Sequence, residues 1–315
     1  MTDIPVLVPP SSGVLSQPYL TNGMFRGFPS WLDLDDLIQG GAAALQEDSL
    51  ADVLLAASDW AVGECQNMRL DAHWVQNENQ RAPAKSGGRV YVRPEDIPVR
   101  AVTSLSWGAD PSFMNAAALP DPSMWFEDGR RMSWLPGGGI TLFSGPALQF
   151  GPRPAGSSQV YVTWSYVAGY PSTTLAEAVT SGANSITVTD PTGILPGDVL
   201  RCYDPGVSEA FTVAGSYVPS VPTVPPTPTA IPLAADTVNA HAAGTGVTEM
   251  PRKVLQAVIA YAVALLMRED VSDEEPASGF GPSARTTGTE RGGQASGLVN
   301  DARGWLAPFA PTLRS

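Results

Sequence analysis

The chain has 315 residues, 43% of them hydrophobic and 16% charged, with a formal net charge of −13. That length allows one large domain or two modest ones with a sizeable core, and the acidity argues against a general binder of phosphate backbones, which needs clustered Lys and Arg. The 30 prolines and 31 glycines favour β-structure and long loops. Cys65 and Cys202 are far apart and make no metal-ligand spacing, which fits two buried thiols in a reducing compartment. Residues 1–13 have neither the basic start nor the apolar run of a signal peptide, so no secretion route is expected.

In chain order, residues 1–30 carry Pro5, Pro9, Pro10, Pro18 and Pro29, a spacing that predicts an extended N-terminal arm. Ser30 then precedes W-L-D-L-D-D-L-I-Q, a short helix with early acids that complement its dipole, ended by Gly40-Gly41. A second helix is predicted from Ser49 to Leu70, where Leu50, Val53, Leu54, Ala57, Trp60, Ala61, Cys65 and Met68 keep the 3.6-residue period. The period then changes to two. Segments 89–92, 99–107, 139–143 and 159–167 read as strands bounded by Pro, Gly and Asp, and they predict a sheet packed on a helical layer.

A second β-rich block, 172–247, alternates strand signals with Pro-Gly and Asp-Pro-Gly turns, as a small inserted barrel or sandwich would. Within it, Pro219 to Pro232 is too rich in proline for a central strand and predicts a stiff extended loop. Met250 to Asp270 is the most apolar segment: Val254, Leu255, Val258, Ile259, Ala262, Leu265 and Leu266 line one face and alanines most of the other. A helix with so little wet surface is buried on several sides, in a bundle or a subunit interface. Its apolar part is too short for the roughly 20 residues that span a bilayer. Residues 272–315 open with a stretch almost free of large apolar side chains and close on Leu298, Arg303, Trp305, Leu306, Phe309, Leu313 and Arg314. Large anchors at the end of a tether suit a docking arm; the alternative is a terminal helix folded back on its own core. The fold class expected is α+β: a helical bundle core, a β-sheet layer, an inserted small β barrel or sandwich, and extended terminal arms.

No residue set predicts catalysis, a cofactor or a metal. His73 and His241 lack a second ligand at metal spacing and read as turn or core residues. Ser144 and Ser181 lack the G-x-S-x-G elbow, and Gly137 to Gly139 are followed by no Lys-Ser/Thr. Asp33, Asp35 and Asp36 lack the glycine and distal Glu of a calcium loop. Trp125, Phe126, Trp134, Tyr161, Trp164 and Tyr166 could form a carbohydrate platform, but strand aromatics are more often core.

The order of segments is more specific than any one of them. A helix is followed by R-V-Y-V-R-P-E-D-I-P-V-R-A-V-T-S-L, then G-I-L-P-G-D-V-L, then A-H-A-A-G-T-G-V-T-E-M-P-R-K-V-L-Q-A-V-I-A-Y-A-V-A-L-L and a short closing helix. This resembles the head-to-tail adaptor (connector) family of long-tailed bacteriophages, in the versions from phages of actinobacteria. The resemblance implies a non-enzymatic virion protein, assembled in the host cytoplasm, that forms a ring, usually of twelve subunits, below the portal. Such a ring extends the DNA channel and meets the portal protein above and a stopper or tail-completion protein below. Genomic DNA passes through without sequence-specific binding, and no membrane is involved.

Carried onto this chain, the resemblance makes Val254, Leu255, Val258, Ile259, Leu265 and Leu266 the ring interface, and Arg303, Trp305, Leu306 and Phe309 the portal-docking residues. The expected divisions are an arm at 1–30, a main body at 31–171, the inserted β domain at 172–247, the central helix at 248–271 and the docking arm at 272–315. Two other readings stay open: a tail-completion or stopper neck protein, and a virion β-protein that binds cell-wall glycan.

Overall fold

A computed structural model describes residues 15, 17–28, 43–84, 90–116, 119, 132–134, 158–272 and 297–310. Helices and antiparallel sheets both occur, so the α+β class holds. The chain divides into two compact units, Met1–Asp71 with Tyr170–Ser315, and Ala72–Gly169. This corrects the expected main body at 31–171. The large sheet is a unit by itself, because its strands pair only with one another, whereas the β segment after 170 shares a unit with the helices.

In the first unit the described part of the expected arm at 1–30 is folded against the helices. Residues 1–14 lie outside the described residues, but α1, Asn22–Arg26, is a short helix whose N-cap Thr21 accepts the Met24 amide at 3.2 Å. Tyr19, Leu20, Met24 and Phe25 are buried. Proline content concealed these anchors. Tyr19 is fixed at both ends, its amide donating to Ser58 Oγ (3.0 Å) and its hydroxyl accepting the Leu70 amide (2.9 Å). The helix predicted at 31–39 lies outside the described residues.

Helix α2, Ala43–Glu64, buries Leu50, Leu54, Ala57, Ser58, Ala61 and Val62 on one face and exposes Asp48, Asp52 and Asp59 on the other. It starts and ends earlier than predicted. Gln66 and Asn67 adopt φ of 61° and 62°, and the Asn67 amide reaches back to the Val62 carbonyl at 2.9 Å, a left-handed cap that satisfies a terminal carbonyl and stops the helix. Helix α3, Arg252–Ser272, follows Pro251, whose missing amide costs nothing in a first turn. The two helices pack together, and Trp60 of α2 stacks on Tyr261 of α3 with centroids 4.1 Å apart and planes 2° apart. Helix α4 spans 297–306. Among the described residues no helix is long and apolar enough to cross a membrane.

Between Ser172 and Thr248 the same unit carries β7 (Ser172–Thr174), β8 (Ser185–Val188), β9 (Val199–Tyr203), β10 (Glu209–Thr212), β11 (Thr229–Pro232) and β12 (Gly246–Thr248). Their orders are β10-β9-β12-β7 and β11-β8, and the bridges Leu175↔Val188 and Val213↔Leu233 join the two sheets at both margins. Inside lies an apolar cluster that includes Leu175, Ile186, Val188, Leu200, Phe211, Ile231 and Val247. Gly246 is where this module meets α1: a Cβ there would run into the Met24 sulfur.

The second unit is one antiparallel sheet, ordered β4-β3-β6-β1-β2-β5. Its strands are β1 (His73–Ala84), β2 (Val90–Val92), β3 (Val99–Asp110), β4 (Phe113–Ala116), β5 (Met132–Trp134) and β6 (Ser158–Ala168). As the period-two pattern predicts, Val160, Val162, Trp164 and Tyr166 are all buried. Strand β1 has no such pattern in the sequence. Its exposed side chains are polar, and a bulge between Val75 and Glu78, with Asn77 at φ 52°, shifts the alternation midway. The strand predicted at 139–143 lies outside the described residues.

Candidate functional site

Five of the six residues expected at a ring interface are covered by the chain itself. Val254 and Val258 are 0% exposed, Leu266 1%, Leu255 3% and Ile259 5%; Leu265 is half-buried. Their period does mark a buried helix, but the cover comes from α2 and the rest of the same unit. A side chain already enclosed has no surface to give a neighbouring copy, so the expected ring interface is corrected to an internal core. Burying each such Val, Leu or Ile contributes about 1.5–3 kcal/mol to folding.

The four portal-docking residues divide. Leu306 is buried, as is Ala302 one turn earlier, and Arg303 Nε lies 2.9 Å from Glu64 Oε1 at the end of α2. Helix α4 is therefore held against its own chain, as the fold-back alternative has it. Trp305 and Phe309 remain half-exposed on the same helix and the turn after it.

His241 is fully buried at the end of the β module where the β9–β10 turn lies. Its Nδ1 is 3.0 Å from Asp204 Oδ2 and its Nε2 is 2.7 Å from Glu209 Oε1. The ring also meets Phe211 edge-on at 5.7 Å. Glu209 accepts the amides of Val238 (2.9 Å) and Asn239 (3.2 Å). Burial by itself raises the Glu209 carboxyl; those amides and the His241 ring outweigh it and hold the group below the usual carboxylate range. These residues tie the hairpin to the loop 236–242. Sequence spacing hid them, since partners 32 and 37 residues away form no motif. The signal that could have found them is the Asp-Pro-Gly turn, which brings Asp204 and Glu209 to one hairpin end.

Beside this end an open cleft of ≈ 460 Å³ is lined by Pro18, Leu20 to Gly23, Ala51, Tyr203 to Pro205 and Ala243 to Thr245. Its polar side chains Asn22 and Asp204 are already engaged, the first with Glu47 (2.6 Å to Oε2) and the second with His241.

In the sheet unit, Glu78 sits at the β1 bulge and accepts the Tyr166 hydroxyl, which also accepts the Asp96 amide at 3.3 Å. His73 Nε2 lies 2.8 Å from Asp96 Oδ2, a partner that sequence spacing did not reveal. Burial pushes the Glu78 carboxyl up, more than its hydrogen bonds lower it, and burial with the nearby Glu78 charge pushes the Tyr166 phenol up. Glu78 Oε1 and the indole Nε1 of Trp164 are close enough to influence each other yet short of hydrogen-bond geometry, so both stay unpaired.

Of the proposed aromatic platform, Trp164 and Tyr166 are core residues with centroids 4.2 Å apart, whereas Tyr161 is half-buried under the Arg81 guanidinium at 5.6 Å. Trp125, Phe126, Asp33, Asp35, Asp36, Ser144 and Gly137 to Gly139 lie outside the described residues, as does the Trp134 side chain. Ser181 Oγ donates to the Val238 carbonyl at 2.7 Å. Cys65 and Cys202 are free and buried, and burial pushes their thiols up to about 11 and about 12. No family model, no curated protein and no solved structure matches the chain.

Proposed function

We propose that the chain is a structural virion subunit of the head-to-tail adaptor type, one copy in a ring that lies below the portal, extends the DNA channel and joins head to tail. The observation that carries this reading is the arrangement of one unit: two long helices packed together although nearly two hundred residues separate them, β structure inserted between them, and a short C-terminal helix returning to α2. That arrangement follows the segment order on which the resemblance rests. In this reading the β module is a small closed barrel, with Leu175↔Val188 and Val213↔Leu233 as its seams. Trp305 and Phe309 are the side chains left to meet the portal, while Leu306 and Arg303 fix α4 in place. The net charge of −13 suits a channel through which DNA slides, because an acidic wall does not grip phosphates.

A class average of the particle neck by electron microscopy, with a label on the C-terminus, tests the proposal. The label is expected as a ring next to the portal. A neck without label, or label on the capsid shell or tail tip, would exclude an adaptor. The glycan-binding reading receives less support, since burial of Trp164 and Tyr166 removes two of its platform residues.

A further inference from the structure

Apolar surface is concentrated in one module. Of the seven large hydrophobic side chains exposed among the described residues, six are valines between 199 and 238, with Leu119 as the other. Exposed apolar side chains that lie together mark contact sites, whereas single ones are ordinary.

The strand register sorts these valines into two groups. In the β9–β10 hairpin Val199 pairs with Thr212, at the end opposite the turn. The chain leaves that end through the loop before β11, where Val218 (82% exposed), Val221 (64%) and Val224 (82%) recur every third residue in V-P-S, V-P-T, V-P-P. At the other end, Val207 lies in the turn itself. Val238 (73% exposed) is held beside it, its amide on Glu209 and the Asn239 Nδ2 on the Val207 carbonyl at 3.2 Å.

Charge favours a like partner. From Ala210 to Ala235 there is no charged side chain in a chain of net −13. At the turn end, Asp204 and Glu209 are directed inward onto His241, which leaves Asp236 as a rim charge. The Val-Pro loop itself thus brings no charge to a second acidic copy, with Asp190 and Asp198 on the segments beside it. Two different apolar ends on one module also supply the unlike surfaces that a head-to-tail, ring-closing contact requires.

We infer that the β module is the ring contact, with the Val-Pro loop of one copy seated against the Val207 and Val238 end of the next. The inference rests on the ring reading for its choice of a second copy as occupant, and it replaces α3 as the source of the interface. The two ends together offer roughly several hundred Å² of apolar surface, less than the ~1,600 Å² of a standard interface. A single contact is accordingly weak, and a closed ring, in which every copy makes two, is what holds.

Disulfide trapping in the full-length chain tests this, because oxidation accumulates even a minor encounter. Both native thiols are buried and resist ionisation, so introduced cysteines are the reactive ones. A mixture of Val221→Cys and Val238→Cys proteins is expected to form disulfide dimers several-fold faster than either alone, and the double variant to form a ladder of multimers. Val224→Cys with Val207→Cys gives a second reading of the same contact. No dimer from either mixture, or a Val221→Cys dimer formed as fast alone as in the mixture, would overturn the inference. Trapping that succeeds while labelled necks lack the chain would remove the adaptor reading and leave the contact. Labelled necks without trapping would do the reverse.

Discussion

The sheet unit and the β module hold their buried ionisable groups differently. The sheet keeps unpaired polar atoms inside, Glu78 Oε1 and Trp164 Nε1, and among the described residues strands β4 and β5 are its margins. In the module the buried His241 has a carboxylate at each ring nitrogen and bridges tie both sheet margins, although the Tyr217 hydroxyl is buried without a partner, and the module shows valines to solvent. Unpaired buried groups lower stability, and exposed valines do little for it. The comparison thus separates a unit whose unpaired groups gather at one buried carboxylate from one that holds its buried histidine on both sides, leaves the Tyr217 hydroxyl unpaired, and carries its apolar surplus on the outside.

The sharpest way to break this contrast is to remove the clamp. His241→Ala removes the buried ring that Asp204 and Glu209 both contact, and losing a buried hydrogen-bonding partner costs about 1–3 kcal/mol. Urea unfolding combined with hydrogen exchange across β9 and β10 should show that loss within the module. A loss below about 1 kcal/mol would mean that the ring is not what completes it. In the sheet, Tyr166→Phe deletes the hydroxyl that Glu78 accepts and should cost about 1–3 kcal/mol. If that substitution were neutral, the Glu78 cluster would not constrain the bulge.

Acid should move the two units in opposite directions. Glu209 has a lowered folded pKa, so its contribution is present above the unfolded carboxylate pKa and is lost as pH falls through the folded one. Glu78 has a raised folded pKa, so the folded sheet holds its proton more tightly than the unfolded chain does. Its contribution is present below the unfolded pKa and is lost as pH rises through the folded one. Hydrogen exchange across the acid range should therefore show protection of β9 and β10 falling on acidification while that of β1 and β6 holds or rises. Glu78→Gln should remove the sheet's part of the dependence, and Glu209→Gln the module's.

Much of this was legible in the sequence, for a physical reason that differs between elements. The α3 period and the β6 alternation record burial directly, so the core at Val254, Val258, Trp164 and Tyr166 could be read from spacing. What spacing does not carry is whose atoms complete the cover: the two amphipathic helices pair with each other, as their periods suggest, and the remaining faces of α3, where neighbouring copies were expected, are covered within the same unit. Strand β1 was invisible because its outward side chains are polar and its bulge breaks the alternation. The histidine partners were invisible because contacts between residues 23 to 37 positions apart depend on tertiary approach.

The smallest expected effect is also the one that bears most on function. Val224→Ser alters a side chain that is 82% exposed and has no core contact to lose, so thermal unfolding should change by no more than about 0.5 kcal/mol. The matching change on the sheet is Arg81→Ala, which removes a cation from the Tyr161 ring and should cost about 0.5–1 kcal/mol. If Val224→Ser leaves the monomer unchanged but slows disulfide trapping between copies, the valine row contributes to association and not to folding. An equal loss in both measurements would instead place these valines in the module's own stability, and the contrast between surface kept for folding and surface kept for association would fail.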